Sequence, residues 1–308
     1  MNVNLPMCLL DWINPNKIDW YTLSYNSSAM HLLEQNPDKI CWWALSENPS
    51  AIHLLEKNQD KIDWEELSRN TSEGAIRLLE KNPNKINWEW LSSNTSEGAI
   101  RLLEKNQDKI NWCALSRNPS EGAIRLLEKN QDKIDWEELS RNTSAMQLLE
   151  KNQDKINWCA LSKNPSEGAI RLLEKNPDKI SWERLSGNLS AMQLLEKNPD
   201  KIDWNGLSIN ESKGAIQLLE KNLDKINWHR LSANSSKGAM RLLEKNQDKI
   251  HWSWFSLNPY IFTYDYKQMK QNCMLFKEDL MKNRFHPRNI PKFKDWRING
   301  FESDFGET

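Results

Sequence analysis

The sequence predicts an all-α fold, an α-solenoid of about eleven 22–24-residue helix–turn–helix repeats, and three observations predict it. The first is a period. Lys-Ile-x-Trp recurs eleven times, with its tryptophans at Trp20, Trp42, Trp64, Trp88, Trp112, Trp136, Trp158, Trp182, Trp204, Trp228 and Trp252, each step being 22 or 24 residues. A fixed period in the twenties marks a chain built from stacked supersecondary units. The second is a capping residue: Asp, Asn or Ser precedes nine of these eleven tryptophans, Cys41 and His251 being the exceptions. Such side chains accept hydrogen bonds from the unpaired N–H groups of a helix's first turn. The third is an apolar stripe. Ala75, Ile76, Leu78 and Leu79 share one face of a helix, with Arg77 and Glu80 outside it.

Taken in order, residues 1–18 read as a degenerate capping half-repeat, in which Leu9-Leu10-Asp11 stands where Leu-Leu-Glu stands later. A terminal unit faces water instead of a neighbour, so an atypical start suits a solenoid. The repeat array spans 19–258. Each repeat opens on a short first helix. In Asp63-Trp64-Glu65-Glu66 the Asp caps, Glu66 stands where a capping box places its Glu, and Trp64 and Leu67 share one side. Ser68 and Asn70 end this helix. The second helix closes on an Asn in all ten of its copies, Asn36 to Asn246. Asn tolerates the left-handed conformation that often ends a helix, and Pro follows it at Pro37, Pro83, Pro177 and Pro199. Long repeats carry an extra Glu-Gly or Lys-Gly (Glu73-Gly74, Lys213-Gly214) where short ones run straight on (Ser50-Ala51). Two residues are not a helical turn, so the corner loop or the first turn of the second helix must absorb them, which Gly eases. A leucine-rich repeat would suit the period, but Leu-Leu-Glu-Lys-Asn lacks the alternation of a strand.

Residues 259–308 leave the pattern. Tyr266, Met269, Cys273, Phe276 and Leu280 recur at three or four residues and predict a longer helix over roughly 263–284, a helical C-terminal cap, followed by a basic and aromatic tail. A single unit cannot offset its own ordering entropy, about 1–2 kcal/mol per residue for the backbone. Stacking must supply the rest. Each interior Trp is expected between consecutive repeats, where its removal costs about 3–5 kcal/mol.

Composition removes several function classes. With 42 Lys and Arg against 43 Asp and Glu, the chain has no excess positive charge for a nucleic-acid duplex or an anionic membrane. Hydrophobic residues are only 38%, but 16 residues are Trp, so burial is concentrated in a few large side chains. Five cysteines without paired spacing point to a reducing, intracellular setting. The start of the chain has neither the basic region nor the apolar run of a signal peptide. No Gly-rich phosphate loop is present, and the five His show no metal-ligand spacing. We expect no catalytic residue, metal, cofactor, small-molecule ligand or membrane contact.

The repeat word, for example Lys61-Ile62-Asp63-Trp64 followed by Leu78-Leu79-Glu80-Lys81-Asn82, resembles a paralogous repeat family encoded by large DNA viruses that infect protists. So does the tail: Asn258-Pro259-Tyr260-Ile261-Phe262, then Tyr266 to Lys270, then His286-Pro287. The resemblance covers nearly the whole chain. It implies a viral protein, acting in the host cytoplasm, in a virus factory or in the virion, and it brings no activity with it. Neither an F-box nor a BTB module accompanies the array.

Variation within the chain suggests where function lies. The two positions after each repeat Trp change from repeat to repeat while Trp and Leu on either side stay fixed. We expect them to project from the core as a ridge that binds a host or viral protein, with Trp43, Glu65, Glu66, Trp90, Glu137, Glu138, Arg184, Arg230 and Trp254 as candidate contacts. A milder ridge runs through Arg69, Arg117, Arg141 and Lys163. Exposed Trp is a favoured interface anchor. The alternative is a single-stranded nucleic-acid reader built on the column Arg77, Arg101, Arg125, Arg171 and Arg241, each expected to pair with the Glu three residues on. A virion structural role is compatible with protein binding. The recurrent Asn columns (Asn70, Asn82) are read as bonding turn backbone, not ligand.

Overall fold

A computed structural model describes residues 18–256 and 258. The half-repeat of 1–18 falls outside this region except for Ile18, and so does the C-terminal cap of 259–308. Within it the chain is a stack of short helices, with no strand among the described residues. First helices pack on first helices of adjoining repeats and second helices on second helices, which is an α-solenoid.

The predicted caps form. The Asp63 carboxylate accepts from the N–H groups of Glu65 and Glu66 to start the helix Trp64–Arg69, and Asn87 does the same for Trp88–Ser93. Ser181 makes no such bond, as Cys41 and His251 do not. The capping box is only half built. The N–H of Asp63 donates to Ser46 Oγ of the preceding repeat at 3.0 Å, and Glu66 turns instead to Arg69.

That bond belongs to a ladder. Each Ser of the Leu-Ser pair is buried, donates to the carbonyl four residues back and accepts the N–H of the next repeat's capping residue. Ser68 Oγ, for instance, gives 2.7 Å to Trp64 O and receives 3.0 Å from Asn87 N. The Asn two residues on forms a second ladder. Asn118 Nδ2 donates at 3.0 Å to both Ser92 O and Asn94 O of the preceding repeat, while its Oδ1 accepts from Ser120 N. The Asn that closes the second helix works differently from expectation. Asn82 has φ −129°, outside the left-handed region, and its Nδ2 bonds Leu78 O at 2.9 Å. It caps its own helix through its side chain, and a 3-10 turn, Pro83–Lys85, follows.

The two-residue inserts lengthen the second helix. Long repeats have nine helical residues there (Glu73–Lys81), capped by Ser72, and short ones six (Ile52–Lys57) without a side-chain cap. The extra turn seats Gly74 against the preceding repeat, where an added Cβ would fall 2.5 Å from Ile52 Cγ2. Gly serves close approach here, not chain flexibility.

Leu67, Leu79, Leu91 and Leu103 are fully buried, and Ile62 and Ile86 nearly so. Burying each such side chain is worth about 1.5–3 kcal/mol. The repeat tryptophans from Trp20 to Trp228 lie at the edge of this core, half-buried, and Trp252 is exposed, so their removal should cost nearer the lower end of the expected range. The Lys before the next Ile covers several of them: Lys39 Nζ lies 4.7 Å from the ring centre of Trp20 and Lys155 Nζ 5.0 Å from that of Trp136. Such cation–π contacts add about 0.5–1 kcal/mol each at exposed sites.

Candidate functional site: the ridge of first helices

The ridge forms because the cap fixes the helix start and Leu three residues after Trp fixes which side is inward. The first residue after Trp then points outward. It is exposed in Trp43, Glu65, Glu89, Glu137, Glu183 and His229. The second residue projects at Arg184, Arg230 and Trp254 but is covered in most other repeats, which corrects the sequence expectation there. Its column lies against the first helix of the preceding repeat, so Ala44, Ala114, Ala160 and Gly206 are buried there. At Gly206 an added Cβ would meet the Glu183 carbonyl oxygen at 2.6 Å. Larger residues at this position must bend out over the neighbour or be covered.

Glu66 is covered, with only 3% exposure, and is therefore not an accessible contact. Its carboxylate meets Arg69 Nη1 at 3.2 Å. Burial pushes its pKa above the usual range, against the opposing pull of Arg69. The Arg69 guanidinium stacks 3.4 Å from the ring centre of Trp90, and Trp90 Nε1 donates to Glu65 Oε1 at 2.8 Å. Trp90 is thus half-buried and already partnered. Glu137 and Glu138 are likewise engaged. Arg117 grips Glu138 through Nε at 2.8 Å and Nη2 at 3.0 Å, and Arg141 bonds Glu138 at 3.1 Å and Glu137 at 2.6 Å. The Arg117 hydrogen bond, together with the charge of both guanidiniums, holds the Glu138 carboxyl below the usual carboxylate range.

The two ends of the ridge differ from this middle. Trp43 is 40% exposed and stacks on Tyr21, with centroids 5.7 Å apart and planes at 12°, while Tyr25 meets it edge-on. Burial raises the Tyr25 hydroxyl pKa. Toward the other end Arg184 and Arg230 are exposed, and Trp254 is 43% exposed with its ring 5.3 Å from His229. Arg184, Arg230 and Lys163 make no ion pair with a described residue. They border a groove of about 570 Å³ over Gly187 and Gly206.

Sequence reasoning missed that groove and one contact. His229 and His251 stand edge to face with centroids 4.3 Å apart. A signal for the groove was present: Gly occupies two columns that carry larger residues in most repeats. The His pair had none, because His251 occupies the capping column and His229 the exposed one of the preceding repeat.

The basic column of the second helices is not a free stripe. Arg101 meets Glu73 of the preceding repeat at 2.9 Å, Arg125 meets Glu97 at 3.3 Å and Glu121 at 3.0 Å, and Arg171 meets Glu167 at 2.8 Å. Their partners are the Glu residues of the inserts and not the expected Glu three residues on. Among the described residues no cluster of three His, Cys, Asp or Glu could hold a metal ion, and no helix is long and apolar enough to cross a membrane. No protein-family model, no curated protein and no solved structure matches this chain.

Proposed function

We propose that this chain is a non-catalytic repeat scaffold that binds another protein through the ridge of its first helices. One observation carries this reading. The core columns repeat almost unchanged, yet the two columns after each Trp change from repeat to repeat. The outward one runs from aromatic at Tyr21 and Trp43 to acidic at Glu65, Glu137 and Glu183, and the one beside it carries exposed Arg184, Arg230 and Trp254 toward the far end. Packing does not require such changes. An extended face of changing character suits a partner whose successive parts meet successive repeats. The exposed rings of Trp43 and Trp254 supply apolar anchors of the type that dominates interface energetics. The family resemblance makes the setting an infected host cell and the partner a host or viral protein.

Single-stranded nucleic acid is less well supported, because three of the five arginines in its basic column, Arg101, Arg125 and Arg171, are already paired with Glu. The test is quantitative affinity purification from infected cells. Trp43→Ser with Trp254→Ser should lower partner recovery at least about tenfold, the cost of a lost hot spot. Lys129→Ala with Lys175→Ala, on exposed positions of the second helices, should leave recovery unchanged. Equal losses from both faces would remove the ridge from consideration, and salt-sensitive capture of RNA would favour the other reading.

A further inference from the structure

We propose that the groove over Gly187 and Gly206 is the seat for an acidic peptide segment of the partner, with a large apolar side chain of that segment entering the adjoining pocket beside Trp254. This rests on the ridge being the protein-binding face and names the chemistry one part of it recognises. Three observations converge. Lys163, Arg184 and Arg230 border the groove with no ion pair among the described residues, whereas Arg69, Arg117 and Arg141, on the same ridge, are each bonded to a carboxylate. An unpaired guanidinium fork is suited to bidentate carboxylate recognition. The second observation is room. Two glycines remove side chains from columns that are otherwise filled, leaving a volume of about 570 Å³. The third is continuity: a pocket of about 260 Å³, lined by Ile209, His229, Arg230, Ala233 and Trp254, shares Ile209 and Arg230 with the groove.

The groove also contains Glu183 and Asp203, and they decide the class of occupant. Asp203 Oδ1 is engaged by the Gly206 N–H at 2.6 Å, and Glu183 is exposed. A continuous phosphate backbone would run over both carboxylates. A peptide can instead place one or two carboxylates on the arginines and an apolar side chain in the pocket. The acidic stretch of ridge from Asp63 to Glu138 further disfavours a polyanion lying along the face.

Gly187 provides a clean blocking variant. Its φ of −83° is open to any residue, and an added Cβ would meet nothing nearer than 3.7 Å. Gly187→Leu therefore fills the groove without straining the helix end. The experiment titrates the full chain with a synthetic Gly-Glu-Asp-Phe-Asp-Gly peptide and with its Gln/Asn counterpart, by isothermal calorimetry or fluorescence anisotropy. We expect the acidic peptide to bind at least about tenfold more tightly than its neutral counterpart and to weaken as salt rises. Gly187→Leu, and separately Arg184→Ala with Arg230→Ala, should each cost about tenfold or more, with the thermal midpoint unchanged. Equal affinity for the two peptides, no binding, or indifference to Gly187→Leu overturns the proposal, as does stronger binding of a single-stranded oligonucleotide at the same site. Residues Phe301 to Thr308 carry similar chemistry, with Glu302, Asp304 and Glu307 beside two Phe. If Glu302→Gln, Asp304→Asn and Glu307→Gln together raise peptide affinity tenfold or more, the groove serves the chain's own end and not a partner. Failure here, with partner recovery still dependent on Trp43, would remove the groove and leave the ridge reading standing.

Discussion

Two stretches of the same ridge, one over residues 63–141 and one over 163–254, use the same helix positions to opposite effect. In the first, Asp63, Glu65, Glu66, Glu89, Asp135, Glu137 and Glu138 face Arg69, Arg117 and Arg141, and every one of these arginines is bonded to a carboxylate. In the second, Lys163, Arg184 and Arg230 share a groove with Glu183 and Asp203 and make no ion pair among the described residues. The buried Ser and Asn ladders and the leucines beneath are equivalent, although Ser181 and His251 of the second stretch make no cap bond. The lesson is that a repeat array can hold its core constant and alter the outer face two or three side chains at a time, because exposed columns do not enter the packing between units.

The largest effect we predict should make the two stretches look alike. Asn118 bonds Ser92 O and Asn94 O, and Asn210 bonds Ser186 O and Asn188 O at 2.9 and 3.0 Å. Replacing either Asn by Ala leaves two buried carbonyls without that donor and should cost about 3 kcal/mol in urea unfolding, from 1–3 kcal/mol per unsatisfied group. A solenoid can unfold in parts, so the comparison needs a local probe such as hydrogen exchange of the flanking repeats. A cost in one stretch twice that in the other would break the claim of a common core.

How much of this was legible in the sequence follows from what a repeat period can and cannot encode. Helix starts, inward Leu columns and the solenoid itself depend on spacing along the chain, and Asp63, Trp64 and Leu67 displayed that spacing openly. The accessibility of Glu66 depends on how near the preceding repeat's backbone lies, a distance that no spacing states. For the same reason Arg101 was assigned to a Glu three residues away when its partner, Glu73, sits 28 residues earlier. The closing Asn was identified as a helix stop for the wrong cause, since φ cannot be read from residue type alone. The outward direction of the first column was therefore legible, while in the second column Arg184, Arg230 and Trp254 stand exposed and Glu66 is covered.

Gly206 gives the next effect, and it separates the stretches. Gly206→Ala drives a Cβ to 2.6 Å from a backbone oxygen that cannot swing away, so the first helices must part, at about 2 kcal/mol. The inverse change in the other stretch, Ala114→Gly, opens no contact that backbone resists and should cost about 1 kcal/mol, the helix penalty of Gly. Denaturant midpoints at constant m-value would check the pair. A harmless Gly206→Ala would mean that the spacing of first helices is softer than the close approach implies.

The charges of the first stretch carry the next prediction, in two carboxyls with opposite shifts. Glu138 lies below the usual pKa, so its contribution is present above the ordinary carboxylate range and is lost as pH falls through the lowered value. Glu66 lies above it, so its contribution is present below the ordinary range and disappears as pH rises through the raised value. Glu138→Gln should therefore cost about 1 kcal/mol near neutral pH, discounted for the exposure of Arg117, and progressively less as pH falls through the lowered value. Glu66→Gln should be close to neutral in effect near neutral pH and should flatten the acid limb in the other direction. Parallel urea titrations of both variants across the acid range would decide it, and the same slope for both would contradict the assignment.

The smallest expected effect is the most informative about function. Arg184→Ala and Lys163→Ala remove cations that make no ion pair among the described residues, and should leave unfolding within about 0.5 kcal/mol of the parent, as surface changes away from any bonded feature do. Arg117→Ala, at the same helix position as Lys163, strips Glu138 of a two-pronged partner and should cost about 1 kcal/mol, with the deficit vanishing in acid. If Arg184 proved as costly as Arg117, its charge would serve the fold and the groove would need no occupant. If the difference holds, Arg184 and Lys163 make no ion pair among the described residues on a ridge that elsewhere pairs its arginines. Stability then gives no reason for them, which is what the proposed acidic segment in the groove requires.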